Sequence, residues 1–196
     1  MAITATNTCS ITMAMTSFAP HSSEEPLDKD LLRRQDIKRA NSYLETGYDL
    51  VWNKEDYEEA INVLHKALEI QQRYLKKYDR EVGWTYNFLG TALWLDGQLS
   101  DALLHFCEAR RVFSKCHAGS KTIRPLEERI SHVLEDLGFS ELAVSQYIFT
   151  LQQAMETELV GDRYKAQGKM NEARQEFNKV RLMSKTLKQL MACCKS

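Results

Sequence analysis

The chain has 196 residues, with 27 acidic and 26 basic side chains and a formal net charge of −1. That length is enough for one domain with its own core, and the near-neutral balance speaks against nucleic acid, whose binding needs clustered cations that release counterions. Charges interrupt every hydrophobic stretch from Leu27 onward, so no apolar run approaches the roughly 20 residues needed to span a bilayer.

The first segment, residues 1–26, is rich in Thr, Ser, Ala and Met, contains no Lys or Arg, and shows no helical or strand period. It is expected to be a disordered tail. It has neither the basic start and apolar centre of a secretory signal nor the arginines of a mitochondrial presequence. Its hydroxyl-rich start and Ser17-Phe18-Ala19-Pro20 resemble plastid-targeting sequences of some algae. The expected location is therefore cytoplasmic, with the plastid as the alternative. Cys9, Cys107, Cys116, Cys193 and Cys194 form an odd, irregularly spaced set, which does not read as a disulfide framework and suits a reducing compartment.

From Leu27 the chain reads as helix almost throughout. Prolines occur only at Pro20, Pro26 and Pro125, and the β-branched alternation of strands is missing. Tyr43, Gly47 and Leu50 open a first helix pair that continues in Tyr57, Ala60, Leu64 and Ala67, with one extra residue in the turn. Asp56 followed by Glu59 reads as a capping box, so the second helix should begin at Tyr57. Tyr86, Leu89, Gly90 and Leu93, then Ala102, Phe106 and Ala109, form a second pair. Ile130 and Leu134 lead through Gly138 to Ala143 and Tyr147, with Ser140 as a cap. Thr157, Val160, Gly161 and Tyr164 lead through Gly168 to Ala173, Phe177 and Val180. No Gly or Pro separates Ser140 from Val160, so the third and fourth pairs should share one long helix. The last helix, about Met170 to Cys194, carries Arg174, Lys179, Arg181, Lys185 and Lys188 and reads as a solvating terminal cap.

The pattern of an aromatic position, Leu-Gly and a second aromatic position, then Ala and Phe four apart, resembles the tetratricopeptide repeat. Ala60, Ala102 and Ala143 recur at a longer spacing than the roughly 34 residues of the commonest such repeat. With Tyr86-Asn87-Phe88-Leu89-Gly90, this period is similar to the arrays of kinesin light chain. The resemblance implies an all-α fold over residues 27–196, a short superhelix of about four helix pairs with extended terminal helices. It implies helix-pair contacts at Gly47, Ala60, Gly90, Ala102, Phe106, Ala143, Gly161, Ala173 and Phe177, with Gly90 set against Ala102.

Stacked helix pairs leave a concave groove lined by the first helix of each pair. On the second pair, Trp84, Asn87, Thr91, Trp94 and Leu95 share the face opposite Gly90, and Tyr48 and Trp52 extend that face onto the first pair. Indole side chains are frequent binding hot spots. The expected function is a non-catalytic adaptor that grips a peptide or partner helix through Tyr48, Trp52, Trp84, Asn87, Thr91 and Trp94. The alternative is a permanent subunit of a larger assembly with its groove filled by its own helices. Some tetratricopeptide co-chaperones clamp acidic peptide tails with Lys, Arg and Asn, but here Glu45 and Asp49 sit in that neighbourhood and Arg129 stands largely alone.

Nothing in the sequence calls for a cofactor or an enzyme. Gly161, Gly168 and Lys169 lack the spacing of a phosphate loop, and His105, Cys107, Cys116 and His117 lack zinc-site spacing. Glu128, His132 and Glu135, with Asp136, share one helical face and support a distant metal-enzyme alternative. Cys193-Cys194-Lys195-Ser196 ends in the form of a prenylation box, although Lys195 occupies an aliphatic position. Cys193 and Cys194 are thus candidate lipidation sites.

Overall fold

The computed structural model describes residues 28–193. The tail expected over residues 1–26, and Cys194, lie outside them. Seven helices follow in order: α1 Lys29–Asp49, α2 Tyr57–Tyr74, α3 Arg80–Leu95, α4 Leu99–Lys115, α5 Ser120–Asp136, α6 Glu141–Ala166 and α7 Met170–Cys193. Each packs on the next, and among the described residues there is no strand. The architecture is an all-α solenoid. It has seven helices for four pairs because α6 is one uninterrupted rod serving both the third and the fourth.

Helix starts follow their caps. Asp28, Asp56, Asp79 and Ser140 each accept a hydrogen bond from a backbone amide in the first turn of α1, α2, α3 and α6, which supplies partners for donors that have none inside the helix. The turns after α3, α5 and α6 close alike, through a glycine of positive φ, at Gly97, Gly138 and Gly168. The next amide then returns to a carbonyl five residues back, as in Gln98 N to Leu93 O at 2.8 Å. After α4 the same left-handed position is taken by His117. The extra residue in the first pair is absorbed as a π-helical turn, Leu50–Lys54, that ends at Glu55 in the left-handed conformation, the usual local form of a one-residue insertion.

Pairs are held by a glycine of the first helix against a bulky side chain of the second. A Cβ added at Gly90 would come within 2.7 Å of the Phe106 ring, one at Gly161 within 2.7 Å of Phe177, and one at Gly47 within 2.6 Å of Leu64. At Gly90 the three nearest atoms all belong to Phe106. Ala102 is buried, but it is the Phe106 ring that fills the space a side chain at position 90 would need. Between pairs, the Thr85 hydroxyl donates to Gln71 Oε1 at 2.7 Å in the buried seam of α2 and α3.

The long α6 is fastened to α4 by charge. Arg111 meets Glu158 at 2.7 Å, while Lys115 meets Glu158 at 3.3 Å and also bonds Asp162. Both pairs are one helical turn apart, so two cations on α4 match two carboxylates on α6. A second tie joins three helices. Arg110 holds Glu127 of α5 at 2.8 Å, and Gln152 of α6 donates to the same carboxylate.

Three outcomes are expected. Gly90→Ala should lower stability by about 1–3 kcal/mol through overpacking. Gly119→Ser, where nothing lies within 4 Å, should be neutral or slightly stabilising because it adds a cap to α5. Urea midpoints read both, and equal shifts would contradict the contact. Burial pulls the Glu158 carboxyl upward, but the Arg111 hydrogen bond and the charges of Arg111 and Lys115 bring it net below its ordinary value. A folded-state pKa below the unfolded one gives stability that is present above the ordinary carboxylate range and lost as pH falls through the lowered value. Stability measured from about pH 7 to about pH 3 should fall less steeply in Glu158→Gln than in the native chain; parallel curves would contradict the role of the ladder.

Candidate functional site

The first helices α1, α3 and α5 lie side by side and bring aromatic side chains from the first two pairs together. The rings run in one unbroken ladder. Trp52 lies 6.3 Å from Tyr48, Tyr48 meets Phe88 edge-on at 5.5 Å, Phe88 stacks on Trp84 at 6.1 Å, and Trp84 meets Phe113 edge-on at 5.2 Å. These separations and tilts suit favourable aromatic pairs. The inner end of the ladder is core, with Phe113 fully buried and Trp84 and Phe88 half-buried. The outer end is open: Tyr48 is 48% exposed and Trp52 is 52% exposed.

The remaining expected groove residues are placed differently. Asn87 and Thr91 are each only 4% exposed. Asn87 Oδ1 accepts from Arg129 of α5 at 3.3 Å, and the Thr91 hydroxyl turns back to the Asn87 carbonyl at 2.9 Å. Trp94 donates its indole N–H to Asp136 at 2.7 Å and stacks on His132 at 6.1 Å. Asn87 and the half-buried Trp94 therefore bridge the seam between α3 and α5, and Thr91 is buried beside them. Leu95, on the same side, stays exposed. The cover comes from neither terminal helix but from α5, the first helix of the next pair.

The same contacts dispose of two other arrangements. His132 and Asp136 are engaged by Trp94, and among the described residues no group of three or more His, Cys, Asp or Glu is placed to hold a metal ion. Glu128, His132 and Glu135 share a helix but form no ligand set. The peptide-tail clamp is also missing its cation. Arg129 is committed to Asn87, and burial lowers its guanidinium pKa. Asp49 is held by Asn53 at 2.7 Å and Lys54 at 2.9 Å. The Asn53 hydrogen bond, then that of Lys54, keeps its carboxyl below the ordinary range. Cys107 is half-buried, and its thiol lies 3.7 Å from the Tyr147 hydroxyl. Burial pushes that thiol up to about 11, which leaves it a poor nucleophile at neutral pH. Cys193 closes α7.

Phe88 was legible in the sequence only as part of the repeat motif. Its place as the ring joining Tyr48 of α1 to Trp84 of α3 depends on how the two first helices register, and helical spacing within one helix does not give that.

Residues 38–115 match the family model of the tetratricopeptide repeat, a stretch that ends where α4 ends. Two curated relatives are both nuclear autoantigenic sperm proteins. The one from Bos taurus is 28% identical over 93 residues, 45% of this chain and 12% of the relative. The one from Homo sapiens is 25% identical over 125 residues, 62% of this chain and 14% of the relative. The chain thus spans about one seventh or less of those relatives' length. No solved structure matches it.

Asn87→Ala is expected to lower stability by about 1–2 kcal/mol, because it strips the half-buried Arg129 of its acceptor. Arg129→Met should cost less when combined with Asn87→Ala than the two single losses added together. Strict additivity in denaturant unfolding would show that the pair carries no interaction.

Proposed function

We propose that the chain is a non-catalytic adaptor whose tetratricopeptide repeats hold a segment of a partner protein on the Tyr48–Trp52 end of the first-helix face. The observation that carries the reading is the pair of exposed rings braced from behind. Tyr48 packs on Phe88, Phe88 on Trp84, and Trp84 on the buried Phe113. Large rings already fixed in place lose little freedom on binding, which is how aromatic anchors give affinity. The chemistry favoured is an apolar or aromatic side chain of an extended or helical segment, laid across Tyr48 and Trp52.

Grooves of stacked helix pairs are the usual working surface of solenoids, and tetratricopeptide repeats in general mediate contacts between proteins. The likeness to kinesin light chain rests on the long period and the Tyr86–Gly90 motif. The second reading, a permanent subunit, is supported by Leu104 and Phe149, which leave 59% and 58% of their surface exposed. Apolar surface of that kind can mark a docked face.

The test is affinity purification with mass spectrometry of the native chain beside Tyr48→Ala with Trp52→Ala. Partner affinity should fall by about 10- to 100-fold, the scale of removing a hot spot, with the urea midpoint little changed because both rings are half in water. Partners held equally by the variant, at fixed stoichiometry, would replace the adaptor with the permanent subunit. Trp84→Ala and Trp94→Ala are unsuited to this test, since both rings are part of the packing.

A further inference from the structure

The outer side of α7 carries a cationic stripe that the adaptor reading leaves unused. Arg174, Arg181, Lys185 and Lys188 fall three, four or seven residues apart, with Asn178 between the first two. At 100° per residue they share one narrow side of the helix, along about 20 Å. All four are exposed. None makes an ion pair among the described residues, whereas Lys179 outside the stripe is held by Glu176 at 2.8 Å. Like charges at this spacing repel one another within a helix. The stripe therefore lowers the stability of α7 unless an anionic surface meets it.

The rest of α7 is partitioned around the stripe. Phe177, Val180, Ser184 and Leu187 face α6 and α4. The helix's two carboxylates, Glu172 and Glu176, lie on the side away from the stripe. Lys165 of α6 lines the same hollow as Arg174 and extends the positive field past the turn. Two large apolar side chains flank the stripe in water, Met170 at 60% exposure and Leu182 at 63%. Among the described residues no helix is long and apolar enough to cross a membrane.

We propose that the exposed side of α7 is a docking surface for an anionic lipid bilayer, with Arg174, Arg181, Lys185 and Lys188 meeting headgroups and Leu182 and Met170 entering the interface. A basic stripe flanked by apolar side chains is the pattern of helices that lie along membrane surfaces, and each cation near an anionic leaflet adds to the attraction. Two other polyanions fit less well. The side offers no aromatic plane for single-stranded bases to stack on, and a nucleic acid duplex tracked by its phosphates would leave Leu182 and Met170 in water. The proposal does not rest on the adaptor reading. A chain that binds partners through Tyr48 and Trp52 and one that does not would carry the same stripe.

The full chain should co-sediment with vesicles of phosphatidylcholine containing about a third phosphatidylserine and be released by raised salt, while phosphatidylcholine alone leaves it in solution. Arg181→Gln with Lys185→Gln should weaken partitioning on the order of 30-fold, at about one kcal/mol for each cation removed. Lys66→Gln with Lys121→Gln makes the same change in net charge at exposed positions elsewhere and should leave partitioning unchanged. Circular dichroism confirms that every variant is folded. Equal sedimentation with neutral vesicles, or an equal loss in the control variant, would overturn the proposal. Tighter binding of a DNA duplex or of polyglutamate than of the anionic vesicles would overturn it as well and assign the stripe to that polyanion.

Discussion

Three of the four helix pairs, the first, second and fourth, are set by a first-helix glycine that lets a large side chain of the second helix lie against bare backbone. Leu64 does so at Gly47, Phe106 at Gly90 and Phe177 at Gly161. In each case there is no room for a Cβ, so the close approach depends on the glycine. Because the contact repeats with the same polarity, the first helices line up along one side and the second helices along the other. The core, the seams and the open face all follow from that alignment.

Alignment alone does not make a groove open. Between α3 and α5 the first-helix face is closed by polar and aromatic contacts, Arg129 on Asn87 and His132 with Asp136 on Trp94. Between α1 and α3 the contact is aromatic, Tyr48 on Phe88, and it leaves the outer rings in water. The inserted residue bears on this difference. Trp52 lies in the π-helical turn Leu50–Lys54 that takes up the insertion, at the mouth of the face. The array thus has one bridged seam and one exposed aromatic end.

Much of the fold was legible because it is written in local terms. The start of α2 at Tyr57, the cap at Ser140 and the fusion of two helices into α6 follow from side chains within a few residues of each boundary. Gly90 and Phe106 were legible as a motif, but not as each other's contact. The site was legible in part. Tyr48 and Trp52 are where the helical face places them, exposed. Asn87 and Thr91 share the same face but are buried, and Trp94 is half-buried, with Arg129 on Asn87 and His132 and Asp136 on Trp94 reaching over from a helix some 40 residues on. Spacing within one helix reports which residues share a side. Whether a neighbour covers that side is set by long-range packing, and the repeat period does not encode it.

The central claim is that the three tryptophans divide into a solvent-facing Trp52 and structurally engaged Trp84 and Trp94. The most direct measurement is a spectrum of the three indole N–H groups with and without a soluble paramagnetic probe. The account predicts that the Trp52 signal is strongly attenuated, while the Trp94 signal, hydrogen-bonded to Asp136, is spared and exchanges slowly with solvent. Equal attenuation of Trp52 and Trp94 would mean that the seam between α3 and α5 is open, which would contradict the division of the groove.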